Sequence, residues 1–139
     1  MKKLLVILVS VMALNVNAQL VVKEAPKDTV IWQESKLSTL PQIIRFTTTG
    51  VHSYTIYYKN AKYTSITDIN YFTIGDLETT RQFFQLCKSV VTEDKEYNLT
   101  LGKKDVSLKK SSLSSVLVWT DGSYFYLSGK QIDSILEKL

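Results

Sequence analysis

Two hydrophobic rhythms alternate along the chain, one with a period of two and one with a period near 3.6, and their order sketches the fold. Ile44, Phe46 and Thr48 alternate with Arg45 and Thr47, and Tyr54, Ile56 and Tyr58 alternate with Thr55 and Tyr57. Aromatic and β-branched residues dominate both runs and Gly50 lies between them, a pattern that predicts a β-hairpin. Asn60-Ala61 then turns the chain into an extended run from Lys62 to Ile74. Its end carries Ile69 and Tyr71 on one face and Phe72 and Ile74 on the other, as in a strand covered on both sides.

At Gly75 the rhythm changes. Asp76 is placed to accept the free amide protons of a first helical turn. Thr80, Phe83, Phe84, Cys87, Val90 and Val91 follow at spacings that stack them on one helix face, while Glu78, Arg81, Gln82, Gln85 and Lys88 fill the other. This predicts a helix over residues 76–92.

A second meander follows. Tyr97, Leu99 and Leu101 alternate, and Val106 and Leu108 answer them across a turn at Gly102-Lys103-Lys104-Asp105. Asp121-Gly122 separates Val116–Trp119 from Tyr124–Leu127, and an Asp-Gly pair supplies the positive φ angles of a two-residue type I′ turn. Such a loop sets Trp119 opposite Tyr124, Val118 opposite Phe125, Leu117 opposite Tyr126 and Val116 opposite Leu127. Paired side chains share a face. One face of this hairpin is therefore Val116, Val118, Phe125 and Leu127, and the other is Leu117, Trp119, Tyr124 and Tyr126. Ser128 then caps a terminal helix over 129–139 whose Ile132, Ile135, Leu136 and Leu139 form an unbroken stripe.

The class is α+β: an antiparallel, twisted sheet made of two meanders with two helices packed on it. A partly closed barrel with a terminal helix is the alternative. The halves share an order, three strands and then a capped helix, and the junctions Tyr71-Phe72-Thr73-Ile74-Gly75 and Tyr124-Phe125-Tyr126-Leu127-Ser128 resemble each other. Duplication of a βββα unit and chance similarity both account for this. Residues 19–41 read as an N-terminal arm with short strands at Leu20-Val21-Val22 and Thr29–Trp32, parted by a turn-like Pro26-Lys27-Asp28, and residues 42–139 as a single domain.

Residues 1–18 change the picture of where the protein works. Lys2-Lys3, the apolar run Leu4–Leu14 and the small residues at Val16-Asn17-Ala18 have the layout of a secretory signal peptide. The run is short of the roughly 20 apolar residues that span a bilayer, and no cysteine follows it to take a lipid, so no stable membrane anchor is expected after cleavage. Removing 18 of 139 residues leaves 121, enough for one packed core. Lys2 and Lys3 leave with the leader, lowering the basic count from 17 to 15 against 13 acids, a net charge of +2. That charge and export argue against a nucleic-acid partner. With Asn17-Ala18 before Gln19, the leader resembles those of exported proteins of Bacteroidota, which places the chain in the periplasm or outside the cell; no motif of the body transfers a function.

The chain offers little for catalysis. His52, the only histidine, sits in a turn-like Gly-Val-His-Ser stretch with no recognisable nucleophile or acidic partner. One histidine and one cysteine cannot make an ordinary zinc site, and no phosphate or dinucleotide loop is present, so no cofactor, metal or catalytic residue is assigned. Cys87 lies within an apolar stripe, where it packs as a small hydrophobe. Lys103-Lys104 and Lys109-Lys110 could make a basic edge for anionic lipids or surface glycans; the plainer reading puts the first pair in a solvated turn and the second at an edge-like strand end, where lysine guards against stray pairing. Asn98-Leu99-Thr100 fits a glycosylation sequon, but falls within a strand.

What remains is the outer hairpin face, Leu117, Trp119, Tyr124 and Tyr126, whose rings have apolar bodies and polar tips suited to gripping a protein or a glycan. Burial beneath the arm that bears Trp32 is the plainer expectation; exposure would make it a binding surface. The expected role is that of a small exported, non-enzymatic binding or adaptor protein. A structural subunit of a phage or cell-surface assembly is one alternative. A small cell-envelope hydrolase is the other, and it would need a carboxylate pair, or His52 with an acidic partner, in one cleft; the candidates Asp68, Asp76, Glu78 and Asp121 are each more simply explained by turns and caps.

Overall fold

In the computed structural model, residues 27–35 and 40–139 are described. The leader and the strand expected at Leu20-Val21-Val22 lie outside them.

The elements run β1 (Lys27–Gln33), β2 (Gln42–Thr48), β3 (Val51–Lys59), β4 (Ile69–Gly75), α1 (Leu77–Glu93), β5 (Tyr97–Leu101), β6 (Lys104–Ser112), β7 (Ser115–Thr120), β8 (Ser123–Ser128) and α2 (Gly129–Lys138). The strands form two antiparallel meanders, each a four-stranded sheet in chain order. Each half is thus four strands and a helix rather than three and a helix. In the first half the extra strand is β1. Lys27 and Asp28, expected in a turn, pair instead with Thr47 and Phe46.

The turns follow their residue chemistry. Thr49-Gly50 and Asp121-Gly122 each take positive φ at both positions, the type I′ signature that matches the twist of the flanking strands. The predicted pairing of β7 with β8 holds at every position, Trp119 opposite Tyr124 included. The β5–β6 connection is tighter than expected, only Gly102-Lys103, because Lys104 and Asp105 already pair with Leu101 and Thr100.

Both helices start where the sequence places them. The Asp76 carboxylate accepts from the Thr79 amide at 2.8 Å. Ser128 and Gln131 cap α2 reciprocally, each side chain accepting from the other's backbone amide. Gly75, at φ +145°, links β4 to α1 at a point where a Cβ would sit 3.1 Å from the Thr79 side chain.

One core joins the two halves. Ile43, Ile56, Tyr58 and Phe72 of the first sheet and Val106, Leu108, Val118 and Phe125 of the second converge on Phe83, Phe84, Cys87 and Val90 of α1 and Ile132 and Ile135 of α2. Burying each phenylalanine contributes about 2–3 kcal/mol. Helix α1 packs on β3 and β4 and reaches β6 and β7, while α2 packs on β8 and crosses to β1, so each helix clamps both sheets. Trp32 is buried here and donates its indole N–H to Ser134 Oγ of α2 at 3.0 Å. Tyr58 stacks on Phe125 across the sheet boundary at 4.3 Å, with its hydroxyl 2.6 Å from Ser123 Oγ.

Alternation left the inward face of β2 open; its core residue is Ile43, which pairs with the inward Ile56. One expectation about faces needs correction. Strand β4 is covered on one side only: Phe72 and Ile74 are buried, but Ile69 and Tyr71 are 55% and 62% exposed. Both helices lie on the inner side of the sheets, and no described element packs on the outer side of β4.

Candidate functional site

The outer face of the second sheet has a layout that follows from strand register alone. Asn98, Ser107, Trp119 and Tyr124 are successive register partners and form one row across all four strands. Lys109, Leu117 and Tyr126 form the neighbouring row across β6, β7 and β8. With strands about 4.8 Å apart, the face divides into a polar half on β5 and β6 and an aromatic half on β7 and β8.

Trp119 and Tyr126 are 44% and 47% exposed, and Leu117 and Tyr124 are half-buried. The described part of the arm does not cover them: Trp32 sits in the core, against α2. The indole of Trp119 stacks on Tyr124 with centroids 5.3 Å apart and planes 8° from parallel. Tyr126 meets Tyr124 edge-on at 5.8 Å. Two-residue spacing along β8 and direct pairing across to β7 bring the three rings together.

Next to the rings, Ser107, Lys109, Leu117 and Trp119 line an open groove of about 460 Å³. Ser107 donates its hydroxyl to Asn98 Oδ1 at 2.8 Å. Lys109 is exposed, and the ion pairs found among the described residues, Lys88–Asp133, Lys95–Glu93 and Lys104–Asp121, do not include it. β6 is an interior strand, yet β5 pairs it only as far as Leu108, so the edge beyond that point is open as an edge strand's would be.

Sequence reasoning found the four residues of the hairpin, weighed Lys109 and Asn98 separately from it, and missed Ser107 and the fact that all three adjoin the hairpin face. The link is the β6–β7 register, in which Ser107 opposes Trp119 and Lys109 opposes Leu117. A register shift between Lys110 and Ser112 separates these pairs from the turn, so counting back from the loop misplaces them. A second exposed apolar stretch was also missed: on the outer face of the first sheet, Tyr57 stacks on Tyr71 at 5.3 Å, beside Ile69.

The other candidates occupy separate places. His52 lies within β3 rather than in a turn, its Nδ1 2.8 Å from Thr47 Oγ1 on β2. Asp68 accepts from Asn60 and Asn70, Asp76 caps α1, Glu78 accepts from Gln82, and Asp121 pairs with Lys104 at the sheet turns. The Asp68 and Asp76 carboxyls are held below the usual carboxylate value, by the Asn60 and Asn70 amides and by the Thr79 amide respectively. Cys87 is fully buried, and desolvation pushes its thiol pKa far up. Among the described residues no three His, Cys, Asp or Glu side chains gather as metal ligands would, and no helix is long and apolar enough to cross a membrane.

The chemistry of the face is that of contact: flat ring faces, hydroxyl and amide groups, and one ammonium. Comparison with protein-family models, with curated proteins and with solved structures finds no match.

Proposed function

We propose that this chain is a small exported binding protein without catalytic activity, and that the outer face of its second sheet takes the partner. The observation that carries this reading is the exposure of Trp119 and Tyr126 in a stacked aromatic row on a face that no described element covers. Large aromatic groups bury 150–250 Å² each when covered, at about 25 cal/mol per Å². A fold that leaves several of them beside one another in water forgoes that stabilisation until something docks there. The two helices already lie on the other side of the sheet, which leaves this face free for a partner. The leader's layout supports export as the setting in which the partner is met.

The test is collisional quenching of Trp119 by acrylamide in a Trp32→Phe variant, where Trp119 is the sole indole. Quenching of the native protein well above that of a buried indole, and below that of the unfolded chain because Tyr124 covers one ring face, is expected. A native indole that acrylamide cannot reach would show that the face is covered and would refute the proposal. Mass spectrometry of the natural protein tests the setting: the expected N-terminus is Gln19, and an intact Met1 terminus on cytosolic material would refute export.

A further inference from the structure

We propose that the groove between Trp119 and Lys109 binds an acidic oligosaccharide, a glycan chain bearing carboxylate or sulfate groups. The proposal rests on the reading of this face as a partner surface and names the class of partner.

Geometry supplies the first part. Trp119 has Tyr124 as its neighbour on β8 and Ser107 as its neighbour on β6. Tyr124 is stacked nearly parallel on the β8 side, so the opposite face of the indole is turned toward β6, where the groove lies. At about 460 Å³ the groove falls within the 300–1,000 Å³ typical of small-ligand sites.

Chemistry supplies the second. A pyranose has a face of C–H groups and a rim of hydroxyls, so it packs flat on an indole while its edge seeks hydrogen bonds. The row Asn98–Ser107–Trp119 provides that sequence of surfaces, amide, hydroxyl and ring, at strand spacing. A protein partner would ask for something else, an apolar centre ringed by polar residues. On this sheet the aromatic and polar halves lie side by side, as suits a ligand whose every unit has one apolar face and one polar edge.

Charge supplies the third. Lys109 borders the same groove and pairs with no carboxylate of the described residues. Asp105 of β6 is in the row beyond Ser107, where it accepts from Thr100, and Glu96, just before β5, forms no ion pair with Lys109. An unpaired ammonium beside a sugar-sized groove favours an anionic ligand over a neutral one.

The test is isothermal titration of the protein with oligogalacturonate and hyaluronan oligomers, which carry carboxylates, with heparin oligomers, which carry sulfates as well, and with neutral maltohexaose. At least one acidic glycan should bind at least tenfold more tightly than maltohexaose. Its affinity should fall about tenfold in Trp119→Ala, and about fivefold in Lys109→Gln and in 0.5 M NaCl. Lys109→Gln alters only an exposed side chain, so it reports on the site if Trp119→Ala fails to fold. Binding by heparin alone assigns sulfate as the recognised group, and binding by the carboxylated chains assigns carboxylate. Equal binding of maltohexaose, binding indifferent to both substitutions, or no binding of any acidic glycan overturns the inference. If acrylamide reaches Trp119 yet no glycan binds, the partner surface stands and its glycan assignment falls. If acrylamide cannot reach Trp119, both fall.

Discussion

The contact between Tyr58 and Ser123 predicts an asymmetry that can be worked out before any measurement. Tyr58 is 1% exposed, and its hydroxyl lies 2.6 Å from Ser123 Oγ. Ser123 Oγ is also 3.0 Å from the Thr120 carbonyl, an acceptor only, so the serine proton goes there and Tyr58 donates to the serine oxygen. Burial raises the phenol pKa above its usual value, keeping that donor proton in place across the working range. Tyr58→Phe removes the donor and leaves Ser123 with its own proton still bonded. The loss is one ordinary hydrogen bond, about 1 kcal/mol. The ring contacts with Phe125 and Phe72 survive. Ser123→Ala instead strands a buried phenol hydroxyl, at about 1–3 kcal/mol, and removes the bond to Thr120, about 1 kcal/mol more. We therefore expect Ser123→Ala to destabilise by about 2–4 kcal/mol, more than Tyr58→Phe. The double variant should cost less than the two losses added, because it has no orphan. Urea unfolding followed by circular dichroism, with the slope unchanged, measures all three. A Tyr58→Phe loss equal to or larger than that of Ser123→Ala, or strict additivity, would show that the serine is not the phenol's partner and refute the reasoning.

Two further predictions rest on individual groups. Cys87, enclosed at the α1 face of the core with its thiol pKa pushed up by desolvation, should resist Ellman's reagent at pH 8 in the native protein and react within seconds in 6 M guanidinium; rapid labelling of the folded form would place it outside the core. Asp76, whose carboxyl is held below its ordinary value of 3.8 by the Thr79 amide, adds stability that is fully present above that value and is lost as pH falls through the lowered folded value. Asp76→Asn retains a capping oxygen, so its urea midpoint should decline less steeply than the wild type's between pH 4 and pH 2, and parallel curves would deny the carboxylate this role.

How much of this was legible in the chain depended on how far each signal had to reach. Asp76, Ser128 and the stripes of both helices act within a few residues, and their positions needed no tertiary knowledge. The pairing of Trp119 with Tyr124 was equally local, because Asp121-Gly122 fixes a two-residue loop and the loop fixes the register. Relations between elements were harder. Alternation shows that Ile43 and Ile44 point opposite ways, but which way is inward is decided by the partner strand, where Ile56 belongs to the core. Apolar groups on both sides of β4 looked like double coverage, yet Ile69 and Tyr71 remain exposed. Ser107 is unremarkable in sequence, and Lys109 was legible only as part of a lysine pair at a strand end. Both join the aromatic face only through the β6–β7 register, beyond an irregularity that local counting does not cross.

Exposure alone does not establish that the aromatic row serves a ligand, because stacked pairs also hold strands together. A cross-strand pair contributes about 0.2–1 kcal/mol to a sheet, and Trp119 on Tyr124 is well placed to do so. The first sheet shows this use in a simpler form: Tyr57 stacks on Tyr71 across β3 and β4, with Thr55 and Thr73 hydrogen-bonded as the adjacent pair. Tyr71 also borders a groove, but there Thr73 is bonded to Thr55 and Lys104 is held by Asp121. At Trp119 the groove brings together a hydroxyl and an ammonium from β6, and that ammonium enters none of the ion pairs among the described residues. Neither group contributes to the stacking. Lys109, lying opposite Leu117, would strengthen the sheet more as a β-branched or aromatic residue. The combination of a ring held rigid by its neighbour on one face and edged by polar groups on the other is therefore better explained by a ligand than by strand pairing. On the proposed reading the stack contributes by fixing the indole in place, which would lower the ordering cost of seating a sugar ring against it.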